Sequence, residues 1–340
     1  MVHFVLFVLH YLGFNRLFYA ITSKRQKIIT YHNVIDDIYF DGALHLGVCH
    51  SQSVFSFQLK EIAKAKLNFS TEINQEKSVM ITFDDGYKNK FESARPILNE
   101  RNIKAVFFIT SDLIDSKVPL WIDKILFWFS YVPDGTYTID GIHFAISQSS
   151  RQSNYILFYN HILNNYGSLD SLLIELDKVY SFCAISINDT YYKLRFEGLT
   201  SLQINDLKAD GHLVACHTKS HSVLSKLTKK QLDDELEICV SNLSKIYNSP
   251  YFSYPFGGHS EVNKSVVDTL EKSPFSHSFM NVWSFKNSNN SHTIDRLSLP
   301  NTKKKYIIHS HLSGLYYYLK SLQKISTRIK PQNCLCHFRY

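Results

Sequence analysis

The chain has 340 residues, with 37 basic against 30 acidic side chains, 44% hydrophobic residues and 14% aromatics. This apolar content excludes a disordered chain, 12 Gly and 8 Pro exclude a collagen-like or linker-like sequence, and six Cys are too few for a disulfide scaffold. A net charge of +7 attracts anionic surfaces weakly and makes no case for nucleic acid.

Residues 1–26 are expected to form an amphipathic helix with Val5, Leu9, Leu12 and Leu17 on one face. That face either packs on the domain or makes peripheral contact with a membrane. The run shows neither a clear spanning length nor a clear signal-peptide pattern. The expected location is therefore cytoplasmic, or peripheral at the inner face of the membrane, with the cysteines as free thiols. Lys27–Tyr31 (KIITY) reads as a buried strand and residues 53–65 as a helix with Phe55, Leu59 and Ile62 on one side. Ser78–Phe83 (SVMITF) is a strand leading into Asp84-Asp85-Gly86 and a polar helical stretch broken near Pro96. Residues 105–109 form another buried strand. Residues at about 120–199 break the rhythm and read as an insertion. Within it Asp140-Gly141 signals a hairpin and helical stretches follow. Thr200 with Gln203 and Thr228 with Gln231 fit capping boxes, the second opening a long helix with Leu232, Leu236, Leu243 and Ile246. Leu213–Cys216 and residues 251–254 are short strands, and residues 294–299 a late one. Residues 301–340 form a basic C-terminal helix and tail. Cys334, Cys336 and His337 there look like half a metal site, but with no second half the expectation is a frayed end. The alternation of buried strands and helices over 27–300 implies an α/β fold, a parallel sheet or barrel covered by helices.

Three segments place metal-capable or turn-forming residues just after apolar strands, at the barrel face where active sites assemble. Asp84 and Asp85 are adjacent carboxylates, costly together unless a cation or a proton relieves them. Gly86 allows a tight exit; alone, such a triplet is as often a surface turn. His217 and His221 are four apart, a spacing that suits two imidazoles on one ion if the segment is helical. Two unrelated surface histidines are the plain alternative in a chain with 16. Ser253-Tyr254-Pro255-Phe256-Gly257-Gly258 is a sharp turn able to aim a backbone N–H at a ligand.

In this order the segments resemble the polysaccharide deacetylase family, also called carbohydrate esterase family 4 or the NodB homology domain. VMITFDDGYKNKFESARPILNERNIKAVFFIT is similar to its first motif, ADGHLVACHTKSHSVLSKLT to its second and YPFGG to a variant of its third. ITYHNV and FSFQLKEI resemble its entry segments. The resemblance implies a distorted, partly open (β/α) barrel with a divalent metal, Zn²⁺ above others. It implies Asp85, His217 and His221 as ligands and Asp84 as general base. The implied substrate is an acetylated glycan or a glycan-lipid precursor, N-acetyl more than O-acetyl. A backbone N–H near Phe256 would stabilise the oxyanion, with Pro255 and Phe256 at the substrate.

The match has gaps. The family's third motif often carries an Arg two residues before the Pro, where this chain has Ser253. Arg296, on the late strand, is the substitute expected for it, against the alternative of a surface or interface Arg. No clean Leu-x-His motif supplies the general acid: His277 is the first choice over His309 and His311. His32 is expected to face the cleft, binding substrate or acting as the acid. Trp121 is a candidate sugar-stacking residue, with core packing as the commoner role of such a Trp. Two rival functions stay open on sequence alone: a non-catalytic glycan-binding relative and an amidohydrolase of small amides. Oligomeric state is left open.

Overall fold

The runs KIITY, SVMITF, VFFI and LVAC are rich in β-branched and aromatic residues, which suit a pleated surface covered on both faces. Each becomes a strand with nearly every residue buried. The computed structural model describes residues 2–40, 49–165, 189–284 and 289–326.

The chain opens with α1 (Val2–Tyr11) and α2 (Phe14–Ile21), bent by 83° at Gly13. A single helix over residues 1–26 is thus not formed. Gly13, at φ 84°, breaks the period, so Val5, Leu12 and Leu17 face outward while Leu6, Asn15 and Phe18 are buried. β1 (Lys27–Tyr31) leads to a small parallel pair, β2 (Asn33–Ile35) and β3 (Cys49–Ser51). α3 (Gln52–Lys64), capped by Ser51 accepting from the Val54 N–H, buries Phe55, Leu59 and Ile62 as expected. β4 (Asn68–Phe69) pairs with the start of β5 (Ser78–Phe83). After β5 comes a wide helical turn, Lys90–Ala94, and then α4 (Arg95–Glu100), where Pro96 sits in the first turn rather than breaking the helix. β6 (Val106–Ile109) follows.

The insertion contributes α5 (Trp121–Tyr131), the hairpin of β7 (Gly135–Ile139) and β8 (Ile142–Ile146), α6 (Arg151–Asn165) and α7 (Asp189–Phe196). It packs a separate aromatic cluster centred on Phe127, Trp128, Phe129, Phe144 and Phe158. α8 (Ser201–Ala209) and α9 (Lys229–Ser241) both begin with the expected capping boxes and flank β9 (Leu213–Cys216). α9 stops at Ser241, so Leu243 and Ile246 reach the core from the turn that follows, not from the helix. β10 (Tyr251–Ser253), α10 (Lys264–Leu270), β11 (His277–Phe279) and β12 (Leu297–Ser298) complete the barrel. α11 (Lys305–Leu312) and α12 (Leu315–Ser326) end the described chain; Cys334, Cys336 and His337 lie outside the described residues. Cys49, Cys216 and Cys239 are buried and form no disulfide among the described residues.

The sheet runs β11-β10-β9-β6-β5-β1-β12, every pairing parallel. An isolated parallel bridge, Phe279 to Ile294, and the backbone bond from the Arg296 N–H to the Val282 carbonyl link the β11 edge to the segment leading into β12. Strand alternation sorts the side chains. Ile28, Met80, Val106, Phe108, Ala215 and Phe279 fill the interior, while their neighbours Ile29, Ile81, Phe107 and Val214 face the helices.

Candidate active site and metal centre

The inward register, continued past the strand ends, builds the site. After Ile28 and Thr30 the next inward position is His32; after Met80 and Thr82 it is Asp84; after Ala215 it is His217. Ser253 and Arg296 complete this layer, with the Arg296 guanidinium 5.4 Å from the Phe108 ring centroid.

Four non-glycine residues here have positive φ: Asp85 (76°), Thr218 (66°), His221 (60°) and Phe256 (61°). The Gly86 N–H donates to the Asp84 carbonyl at 3.1 Å, a tight γ-turn centred on Asp85. The Gly257 N–H closes the same turn onto Pro255 at 2.6 Å, centred on Phe256. Gly86 must be glycine: a Cβ there would lie 2.8 Å from Ile109 Cγ2, at φ 103°. Such strain persists where surroundings fix it, and it gathers at functional sites. Here the Thr110 N–H holds the Asp85 carbonyl, Thr110 Oγ1 donates to the His217 carbonyl, and the Ser111 N–H holds Thr218.

The segment 217–221 is not helical. Its two left-handed residues, with the His221 N–H donating to Thr218 Oγ1, bring the imidazoles together instead, ring centroids 5.0 Å apart. Nε2 of His217 lies 3.6 Å and Nε2 of His221 3.4 Å from Oδ1 of Asp85. All three ligand atoms fall within 4.8 Å of one another, in a buried group. Ligands at ~2.1 Å around a tetrahedral ion stand roughly 3.4 Å apart, so the spacing fits one such ion. Nδ1 of His217 bonds the Ser253 carbonyl at 2.8 Å, which leaves Nε2 free for a metal. Burial alone would raise the Asp85 pKa, but hydrogen bonds from the two imidazoles hold it well below the usual carboxylate range.

Asp84 does not face this triad in the same way. Arg296 grips it with both arms, Nη1 to Oδ1 at 2.7 Å and Nη2 to Oδ2 at 2.6 Å. Nη2 also donates to Ser253 Oγ at 2.8 Å, and Nε donates to the Met280 carbonyl. The guanidinium therefore reaches the carboxylate from β12's side of the barrel, over the small side chain of Ser253. Burial pushes the Asp84 pKa up, but the Arg296 charge overrides it and the carboxyl stays below its ordinary value.

His32 lies close enough to both carboxylates to feel them. Burial lowers its pKa, the net effect, while the charges of Asp85 and Asp84 oppose the shift. His277 is elsewhere. It pairs with Tyr251 at the entry end of β11, two residues below Phe279, which shares its level with Ser253. Its ring packs on Tyr251 and its Nδ1 meets Ser276 Oγ. The strand direction thus places His277 beneath the apolar plug, away from the triad. Among the other histidines, His309 lies on the outer helix layer against Glu61, and His311 bonds the Ser298 carbonyl.

Trp121 is buried, and its indole N–H donates to the His221 carbonyl at 3.0 Å. It pins the histidine loop rather than offering an open face to a sugar. Phe256 is half-buried, 5.0 Å from the His221 ring and 5.8 Å from Trp121, and Pro255 is buried behind it. Three contributors carry no sequence signal. Tyr87 donates to Asp123 at 2.5 Å and accepts from the Leu120 N–H. Arg195 of α7 donates to the other Asp123 oxygen at 2.8 Å. This buried triad ties the insertion to the Asp84–Gly86 turn. Its members are far apart in sequence, so no spacing could have revealed them. Glu235 of α9 likewise accepts from the Ser220 N–H and backs the histidine loop.

The family model for polysaccharide deacetylases matches residues 71–138 and 148–275. A search of curated proteins found no match. Among solved structures, a polysaccharide deacetylase from Bacillus cereus superposes with a TM-score of 0.53 at 17% identity, covering 84% of this chain and 68% of that one. IcaB from Ammonifex degensii gives 0.51 at 15% identity, over 86% and 96% of the two chains. The Streptococcus pyogenes deacetylase PplD, solved with acetate, gives 0.52 at 13%, over 84% and 97%. These likenesses show the fold, a parallel sheet curled into a deacetylase-type barrel, and the family match covers more than half the chain. The chain belongs to the polysaccharide deacetylase family, hydrolases of acetylated glycans.

Proposed function

We propose that this enzyme is a zinc-dependent deacetylase that removes N-acetyl groups from a glycan or glycan-lipid precursor, with Asp85, His217 and His221 holding the ion. The observation that carries the reading is the pairing of two unlike carboxylates: Asp85 turned to two imidazoles, and Asp84 held by a guanidinium. A site that only binds metal or sugar has no use for the second.

The ion, when bound, would acidify a water and polarise the acetyl carbonyl. Asp84 is ionised at neutral pH and takes the water's proton. Arg296 and Ser253 keep that carboxylate from turning toward the cation. The fork also fixes its position, so that the acceptor oxygen need not search for its partner. An amine leaves only with a proton supplied, and we assign His32, beside the two carboxylates, to give it. Burial keeps its pKa below the ordinary value although Asp85 and Asp84 oppose the shift, so the proton it passes on must reach it during the reaction. Phe256 and Trp121 wall the site on the His221 side and exclude water there.

The test is acetate release from a panel of N- and O-acetylated oligosaccharides. A chelator abolishes it, and Zn²⁺ or Co²⁺ restores it. His32→Gln lowers turnover by about 10²–10⁴-fold on amides if it is the acid. Turnover that survives complete metal removal defeats the metal reading; full activity of His32→Gln defeats the assigned acid.

A further inference from the structure

The two ends of the chain share a composition that the barrel lacks. Residues 1–35 and 297–340 contain twelve Lys and Arg and no Asp or Glu, whereas residues 36–296 carry 25 basic against 30 acidic side chains. The fold brings these ends together. Phe7 packs on Tyr306, His10 stacks on His309, and Phe18 meets Tyr318.

The helix pair buries only Leu6 and Phe18 of its large apolar side chains and shows most of the others. A surface helix of a water-soluble domain normally buries its apolar stripe and shows its polar face. Here the inner side, beside Leu6 and Phe18, is fastened by polar bonds: the Asn15 amide to His10 Nδ1, Ser313 Oγ to Asn15, and Thr22 Oγ1 to the Ser313 carbonyl. The outer side is apolar. Of the seventeen exposed large hydrophobic side chains among the described residues, ten fall within residues 2–21, with Phe4 at 71% and Leu12 at 67% exposure. Tyr318, which meets Phe18, and Leu322 of α12 are exposed as well. Arg16, Lys24 and Lys303 to Lys305 are exposed on the same two ends.

We infer that this face docks on a membrane surface of anionic lipid. An apolar face edged by cations, on two segments that carry no Asp or Glu of their own, complements the headgroup–acyl boundary of such a bilayer, although the barrel sets Glu61 against His309 and Asp295 against Arg25 at its inner edge. A second copy of the chain would instead set like charges against each other. No single helix among the described residues is long and apolar enough to cross a bilayer; α1 and α2 together have the length and composition, but their axes are bent by 83°. A pair bent so sharply does not form a straight span, and on this inference it lies in the interface. β12 runs parallel to β1, so Lys303 to Lys305 leave the sheet at the same end as His32. Docking sets the rim of the cleft beside the lipid.

The experiment is co-sedimentation of the full chain with vesicles of phosphatidylcholine alone or with about a third phosphatidylglycerol. Binding is expected to the anionic vesicles and to weaken as salt rises. Lys303→Ser/Lys304→Ser/Lys305→Ser should weaken it about a hundredfold. Phe4→Glu/Leu17→Glu should reduce it at least tenfold, with the melting temperature of both variants near that of the parent. No binding to anionic vesicles at low salt overturns the inference. So does equal binding by well-folded variants, or a salt-stable dimer that Phe4→Glu/Leu17→Glu splits while vesicles remain unbound.

Discussion

The guanidinium on Asp84 is the most exposed part of the catalytic account. Arg296 makes two charge-assisted bonds to that carboxylate, at 2.7 and 2.6 Å, with both residues essentially buried. Removing Arg296 outright strands a buried carboxylate and costs about 3–5 kcal/mol, a large share of the roughly 5–15 kcal/mol that holds an ordinary domain folded. Arg296→Lys is the cleaner perturbation, because it keeps the charge and loses the fork. A lysine recovers one of the two bonds, so the grip weakens by about 1.5–3 kcal/mol. If that grip is expressed in the transition state, kcat falls about 10- to 150-fold with KM unchanged. The swap Ser253→Arg/Arg296→Ser returns the guanidinium from the other strand, into space that Arg296 vacates, and should recover turnover to within about tenfold of the parent. The assay is steady-state acetate release with zinc content measured on each variant. Arg296→Lys within about twofold of the parent would refute the reasoning. So would a loss that merely follows lost zinc, because Arg296 would then act on the triad and not on Asp84.

Tyr87→Phe removes the hydroxyl that donates to Asp123 and accepts from Leu120, leaving a buried carboxylate oxygen without it; a destabilisation of about 1–3 kcal/mol is expected by denaturant titration. Its KM should rise more than its kcat falls, because the insertion and not the metal layer loosens. Burial lowers the His212 pKa to about 4 and that of His311 to about 3. Both stay neutral when folded and take up a proton when unfolded. Their contribution is therefore complete above the unfolded value near 6.5 and lost as pH falls below it. Each adds about 1.4 kcal/mol of lost stability per pH unit between pH 6 and pH 4.5. A melting-temperature series over that range should flatten in His311→Phe; an unchanged slope would mean that His311 is protonated in the folded protein.

Much of this was legible before any coordinates. The buried strands announce themselves by β-branched and aromatic runs, and their ends carry Asp84, Asp85, His217 and His221, which local motifs make visible. Arg296 was reachable through the family resemblance, because Ser253 stands where the third motif often has an Arg and a late-strand guanidinium could replace it. His277 was misplaced because spacing along a strand does not say which end faces the cleft; β11 is three residues long, and the site lies above its last one. His32 carried the better signal, lying one inward step past the end of β1. The N-terminal helix failed for a different reason. A face drawn at helical period assumes one axis, and Gly13 supplies two. The Tyr87–Asp123–Arg195 triad was invisible because its cohesion is wholly tertiary.

The direct measurement is anomalous X-ray diffraction at the zinc edge from crystals of the zinc-loaded enzyme. The account predicts one ion per barrel at ~2.0–2.2 Å from an Asp85 oxygen and from Nε2 of His217 and of His221, with Asp84 still on Arg296. An ion bound at other residues, or Asp84 turned from Arg296 into the coordination shell, would contradict it.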